Sequence, residues 1–235
     1  MPQNKAPGPD GFTGHFFNSC WQIIRHDVSA AINSLYNLRC QDLNLLNKAN
    51  IILIPKKEGA EDIRDYRPIS LIHAIAKIII KLLALRLAPL INELTSPYQS
   101  AFIKKRSIHD NFLYVRNLTR KFHRTKSPAL LLKLDISKAF DSVSWQFLLE
   151  VLQAWGFGSR WRDWISLLLS TASTRVLLNG QPGQPIYHRR GLRQGDPLSP
   201  MLFVLVMDTL NRLFVKAKTD GVLQPIGISA LQLIC

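Results

Sequence analysis

The chain is short of acid. Its 235 residues carry 16 Asp and Glu against 30 Lys and Arg, a formal net charge of +14. A surplus of that size points to a polyanionic partner, with nucleic acid the first candidate and an anionic membrane surface the second. Cysteine is scarce as well. Cys20, Cys40 and Cys235 are odd in number and far apart, with no CxxC pair and no nearby histidine cluster. That argues against a disulfide framework or a zinc site and fits a reduced, intracellular chain. The amino terminus, MPQNKAPGPDGF, has proline and glycine where a secretory signal needs an apolar run. A clean membrane span is also missing. The nearest stretch, LIHAIAKIIIKLLALRLAPLI at 71–91, is interrupted by Lys77, Lys81 and Arg86, and charges within a span are costly. Lys77 and Lys81 share one helical face, so this segment reads as a buried amphipathic helix with a basic edge. No internal repeat or low-complexity tract is present.

The chain does have enough apolar material for a core: 47% of its residues are hydrophobic, which suits one large domain or two small ones. After a Pro/Gly-rich start, Thr13 is placed to cap a helix running to about Leu38. ANIILIPKK (49–57) reads as a short strand ending at Pro55, followed by the charged loop KEGAEDIRDYRP. Beyond the basic-edged helix, the polar stretch TSPYQSAFIKKRSIHDN leads into a helix from roughly Asp110 to His123. The spacing predicts a strand over ALLLKLDI (129–136), then a helix capped by Ser144, with Trp145, Leu148, Leu149 and Leu152 on one face and Gly156 at its end. A Trp-rich helix near 161–171 follows. TRVLLNGQPGQPIYH reads as a hairpin, because Asn-Gly suits a tight turn. RRGLRQGDPLSP then feeds a long helix with Ser199 as cap, Pro200 in its first turn and Gly221 beyond its end. Irregular alternation with a hairpin predicts an α+β fold with a mostly antiparallel sheet.

Three pieces carry chemistry. In LLLKLDISKAFDSVSW, apolar residues run straight into Asp135. A carboxylate at a strand end suits Mg²⁺, which is typically held by one or two carboxylates plus substrate phosphates; it also suits a plain turn cap. Phe140 is positioned to lie against a bound sugar. Asp141 is either a second ligand or, at a helix start, a structural acid. In RRGLRQGDPLSP, three guanidinium groups (Arg189, Arg190, Arg193) stand beside Gly191 and Gly195, which permit close backbone approach to a ligand. Gln194 offers donor and acceptor. The same residues also make an ordinary solvated loop, with Asp196 in a capping role. In IPKKEGAEDIRDYRPISL, a hairpin would bring Lys56 and Lys57 near Arg67, either as a triphosphate clamp or as a solvated charged hairpin.

Taken in order, NKAPGPDGF, ANIILIPKKEGAEDIRDYRPISL, SPYQSAFIKKRSIHDN, LLLKLDISKAFDSVSW and RRGLRQGDPLSPMLFVLVMD resemble the reverse transcriptase of non-LTR (LINE-type) retrotransposons, especially plant ones. The resemblance implies a right-hand polymerase with fingers and palm. Residues 1–40 would precede or belong to the fingers, and residues 41–235 would form the reverse transcriptase domain, with a partial palm sheet flanked by helices and no thumb. It implies RNA-templated DNA synthesis by two-metal nucleotidyl transfer. The partners would be an RNA template, a DNA primer and deoxynucleoside triphosphates, with Mg²⁺ or alternatively Mn²⁺, in the nucleus and off the membrane. Asp135 matches the first catalytic aspartate, and the Ile136 carbonyl would add a metal contact. Phe140 matches the residue that rejects a ribose 2′-OH. Gln194 and Gly195 match the motif lining nucleotide and template, and Lys56 and Arg67 match the triphosphate contacts, with Lys57 an alternative to Lys56.

The family's second metal-binding motif, an Ala-Asp-Asp hairpin, has no counterpart, because none of the twelve aspartates sits in an Asp-Asp pair. The expectation is therefore a catalytically incomplete polymerase, whose palm strand at 129–136 would show an unpaired edge. The alternative is a non-catalytic nucleic-acid-binding fragment of a retroelement. Group II intron maturases and telomerase are more distant comparisons.

Overall fold

A computed structural model describes residue 3 and residues 5–223, apart from 41, 127, 129, 130 and 132. In chain order the elements are α1 (Gly14–Ser19), α2 (Trp21–Tyr36), α3 (Leu43–Leu46), β1 (Lys48–Pro55), β2 (Tyr66–Ile72), α4 (Ala74–Leu87), α5 (Ile91–Leu94), α6 (Ile108–Thr125), α7 (Ala139–Ser142), α8 (Trp145–Ala154), α9 (Ser159–Ser170), β3 (Ser173–Leu178), β4 (Gln181–Pro182), β5 (Ile186–Tyr187) and α10 (Ser199–Thr219). This is the mixed α+β architecture expected. The chain divides into two compact units, one of residues 1–85 with 140–199, the other of residues 86–139 with 200–235.

The first unit holds the sheet, whose strand order is β2-β1-β3-β4, with β5 also on β3. β1 and β2 form the anticipated antiparallel hairpin, with Ile54 opposite Arg67 and Pro55 opposite Tyr66. β3 pairs antiparallel with β4 and β5, and its turn to β4 carries Asn179 and Gly180 at φ of 50° and 79°. Those left-handed values are what a tight Asn-Gly hairpin turn requires. The pairing of β1 with β3 is parallel, Lys48 opposite Ser173; that register joins residues more than a hundred positions apart and leaves no local trace. Phe17, Val28 and Ala74 are buried together, with Phe16, Ile24, Ile32, Ile75 and Ile78 packed around them. Below α8 and α9, Leu148, Leu152 and Ile165 are fully buried. Ser144 caps α8 through the Phe147 amide, and Gly156 follows its end at φ 82°.

The expected helix from Thr13 to Leu38 is two helices. Thr13 caps α1 through the Phe16 amide, but the chain breaks at Cys20 (φ −94°, ψ 7°) and α2 ends at Tyr36. Of the predicted basic edge of α4, Lys81 is exposed and Lys77 half-buried, while Ile79, Ile80, Leu83 and Leu87 are buried. No helix among the described residues is long and apolar enough to cross a membrane.

In the second unit the polar stretch 95–107 is organised by two side chains. Arg106 donates to the carbonyls of Ser96, Gln99 and Asn92. Buried Asp208, on α10, accepts the Ser96 amide at 2.8 Å. The described part of the strand expected over 129–136 is not a strand. Ala129, Leu130 and Leu132 lie outside the described residues, and Leu131 and residues 133–136 have no regular structure and are exposed. A strand is held by hydrogen bonds to a neighbouring strand. Among the described residues, none pairs with this segment.

Candidate nucleotide and nucleic-acid site

The β1–β2 hairpin sets out the cations. Because successive strand residues alternate faces, Ile54 and Arg67, directly opposed, share one face. The ladder continues one step further, with the Lys56 amide donating to the Asp65 carbonyl. That pleat puts Lys56 on the Arg67 face as well. Lys56 Nζ donates to the Arg64 carbonyl at 2.6 Å, and Lys57 Nζ lies 3.0 Å from the Asp65 carboxylate. Both lysines are thus tied into the turn. The exposed Arg67 guanidinium makes no hydrogen bond or ion pair among the described residues.

Backbone bonds stitch the other motifs to this hairpin. The Ser70 amide donates to the Gln194 carbonyl at 3.0 Å, and the Leu192 amide to the Phe140 carbonyl at 2.8 Å. The Gly191 amide donates to the Val143 carbonyl, and the indole of Trp145 donates back to the Gly191 carbonyl at 2.8 Å. Gly191 sits at φ 83°, and a Cβ there would come within 2.9 Å of the Asp141 carbonyl oxygen. Gly195, at φ 101°, lies against the Ser70 backbone, 3.2 Å from where a Cβ would stand. Arg67, Phe140, Gln194 and Gly195 therefore belong to one local assembly within the first unit. Asp135 and Ile136 belong to the second unit, exposed and outside any regular element.

The loop 188–196 departs from a plain solvated loop. Arg189 and Arg190 are exposed, but Arg193 is half-buried, its Nη2 donating to the Asn47 carbonyl at 2.8 Å while Nη1 is buried with no partner among the described residues. Burial pushes this guanidinium down to about 10, against the pull of Asp196, and it remains a cation at neutral pH. Asp196 takes the capping role expected of it, while Ser199, expected as the cap, is the first residue of α10: one Asp196 carboxylate oxygen accepts the amides of Leu198 and Ser199, both at 2.7 Å. Burial pushes its carboxyl above the ordinary range; the bonds from Ser199 and Leu198 and the Arg193 charge pull it back. His188, bonded to the Thr174 hydroxyl at 3.2 Å, is pushed below the usual imidazole value by burial first and Arg193 second, with Asp141 opposing.

A lowered folded-state value means the unfolded chain takes up the proton first, so His188 costs stability as pH falls below its unfolded value. A glutamine there cannot titrate. The stability advantage of the parent over His188→Gln should shrink between about pH 7 and about pH 5 in urea titrations. A pH-independent difference would refute the assignment.

No group of three or more His, Cys, Asp or Glu side chains positioned for a metal occurs among the described residues. The donors expected for a metal are the Asp135 carboxylate and the Ile136 carbonyl. That set fits an ion which draws its remaining ligands from substrate phosphates; it does not fit two ions held by protein alone.

Residues 54–229 match the family model for reverse transcriptase (RNA-dependent DNA polymerase). The chain belongs to the reverse transcriptase family. Its relatives include proteins of a transposon and of retrotransposable elements. Over 95% of its length this reverse transcriptase chain is 34% identical to the Transposon TX1 uncharacterized 149 kDa protein of Xenopus laevis, covering 17% of that protein. Over 89% it is 32% identical to the Pol polyprotein of the type-2 retrotransposable element R2DM of Drosophila melanogaster, covering 19%. Over 88% it is 30% identical to the R2 polyprotein of Nasonia vitripennis, covering 20%. The chain thus spans a fifth or less of each of these relatives.

Two residues of this reverse transcriptase assembly escape a reading from sequence. Asp10 accepts the amide of Ala74, the first residue of α4, at 2.6 Å and lies 3.5 Å from His73 Nδ1. His188 stands in the sequence only as the end of a hairpin. The local signal for Asp10 is a Pro-Gly-Pro-Asp-Gly turn, which says nothing about a partner 64 residues away.

Proposed function

We propose that this chain supplies the nucleotide-binding face of an RNA-templated DNA polymerase, with residues 1–40 working with the fingers and residues 41–235 as the reverse transcriptase domain. The observation that carries this reading is the joining of the β1–β2 hairpin to Gln194, and of Leu192 to Phe140, by backbone hydrogen bonds. Arg67 and Lys56 would neutralise the triphosphate, with Arg67 the stronger contact because its fork is uncommitted. Phe140 would stand against the sugar and exclude a ribose 2′-OH. Gln194 and Gly195 would line the nucleotide and template. Asp135 and the Ile136 carbonyl would hold a divalent ion, Mg²⁺ or Mn²⁺, arriving with the triphosphate. Such an ion would neutralise charge on the transferring phosphoryl group. The formal charge of +14 suits an RNA template and DNA primer, with affinity falling steeply in salt.

Arg67→Ala should weaken deoxynucleoside triphosphate binding about 10- to 100-fold, the value of one strong charge-assisted bond, measured by calorimetry; unchanged affinity would reject the assignment. Primer extension on RNA tests the rest. Its loss in Asp135→Ala, with RNA binding retained, supports the polymerase reading. The exposed, isolated setting of Asp135 favours a second reading, nucleic-acid binding without chemistry. RNA binding with no extension by either form would establish it.

A further inference from the structure

A cavity of about 250 Å³ lies inside the first unit, between the hairpin and the loop that follows β5. Its floor is Ile51, Pro68 and Ser70. In the β1–β2 register Ile51 opposes Ser70, and Pro68 shares their side. Arg67, one residue from Pro68, faces the other way, because strand side chains alternate. The cavity is therefore on the opposite face of the hairpin from the proposed triphosphate cations.

Its wall carries His188, Arg190, Arg193, Asp141 and Gln194, the residue proposed to line the nucleotide and template. Asp141 is the one acid among the lining residues, so two guanidinium groups outnumber it. Arg193 is fixed: it is bonded to the Asn47 carbonyl and stands as a permanent charge behind the wall. Arg190 is exposed and makes no hydrogen bond or ion pair among the described residues. At its volume the cavity falls below the roughly 300–1,000 Å³ of ordinary small-molecule pockets. It suits one unit of a polymer better than a whole nucleoside triphosphate.

We propose that this cavity receives a backbone phosphodiester of an RNA strand, with Arg190 as the direct contact and Arg193 as the fixed positive charge behind it. The proposal rests on the reading of the chain as RNA-templated, and extends the strand's contacts from Gln194, which lines the same cavity, to a backbone phosphate at Arg190. The shared chemistry is phosphate, which a triphosphate could also supply, so the test has an arm for each source.

The probes are a short single-stranded RNA of mixed sequence, followed by fluorescence anisotropy over a range of salt, and a deoxynucleoside triphosphate. Arg190→Ala should weaken RNA binding about tenfold at low salt. It should also flatten the plot of log affinity against log salt by about 0.7, one phosphate contact on a single strand. Triphosphate affinity should be unchanged. Arg189→Ala removes the same charge from an exposed neighbour that does not line the cavity, and should change RNA affinity less than about twofold. Arg67→Ala should show the reverse pattern, losing triphosphate and keeping RNA. Equal effects of Arg189→Ala and Arg190→Ala, or no effect of Arg190→Ala, would overturn the proposal while leaving the polymerase reading standing. Loss of triphosphate affinity in Arg190→Ala would assign the cavity to the nucleotide instead and also overturn it. A parent chain that binds triphosphate but no RNA overturns the cavity assignment together with the RNA template of the proposed function; one that binds neither overturns the nucleotide site as well. Matching urea midpoints for the three variants confirm that each is folded.

Discussion

Asp196→Ala is expected to cost about 4 kcal/mol of folding stability, against about 1 kcal/mol for Asp196→Asn. The half-buried Asp196 carboxylate accepts the backbone amides of the buried Leu198 and Ser199 at the start of α10. Alanine leaves both donors without a partner in a dry setting, at about 1–3 kcal/mol each. It also removes the acid whose charge offsets the half-buried Arg193 guanidinium. Against these losses stands one gain: the carboxylate no longer has to be desolvated, a penalty visible in its raised value. Asparagine keeps a carbonyl oxygen for the two amides and gives up only the charge. The pH dependence has a fixed sign. A carboxyl whose folded value is raised contributes most when protonated, below its unfolded value near 3.9, and loses that contribution as pH rises through its folded value. The gap between parent and Asp196→Ala should accordingly widen in favour of the parent as pH is lowered toward that range, until acid unfolding intervenes. Urea denaturation midpoints for the three proteins decide the matter. Equal losses for alanine and asparagine would show that the cap bonds carry nothing.

What can be read in the sequence is local. The β1–β2 hairpin, the Asn179–Gly180 turn, the Ser144 cap and the Gly156 stop each depend on residues a few positions apart, and each is where the pattern puts it. Arg67 is legible for the same reason, since alternation along a hairpin fixes its face. Three things are not legible. The parallel register of β1 with β3 depends on two distant segments meeting. Arg193 looks solvated among its neighbours Arg189 and Arg190, because its carbonyl partner, Asn47, lies 146 residues upstream. The run ALLLKLDI has every local property of a strand, but a strand is a property of a pair, and its described residues pair with nothing. Asp135 stands out in the sequence as an acid at a strand end; as folded it stands on an exposed, irregular segment. Its proposed role rests on its match to the family motif and on its exposed carboxylate, not on a rigid support.

Gly8→Ala should be nearly as damaging, at about 3 kcal/mol, although position 8 is only half-buried and its backbone is not left-handed. A Cβ on Gly8 would stand 2.2 Å from the Ile72 carbonyl oxygen and 2.7 Å from the His73 amide nitrogen. These are backbone atoms at the end of β2, so no rotamer change relieves the contact, and overpacking of this kind costs about 1–3 kcal/mol. The chain at 7–10 would have to withdraw. Asp10 would withdraw with it, and the amide of Ala74 would lose the carboxylate that receives it. Loss of such an N-terminal acceptor costs about 0.5–2 kcal/mol. The two losses are one event, so they should not add. Asp10→Ala alone should cost about 1 kcal/mol, and the double variant should be little worse than Gly8→Ala, with a coupling of about 1 kcal/mol in the cycle. Full additivity would mean that the clash is absorbed without moving Asp10, and would separate the Pro-Gly-Pro-Asp-Gly turn from the support of α4. Coupling would instead show that this turn clamps the junction where β2, the strand carrying Arg67, passes into the helix behind it.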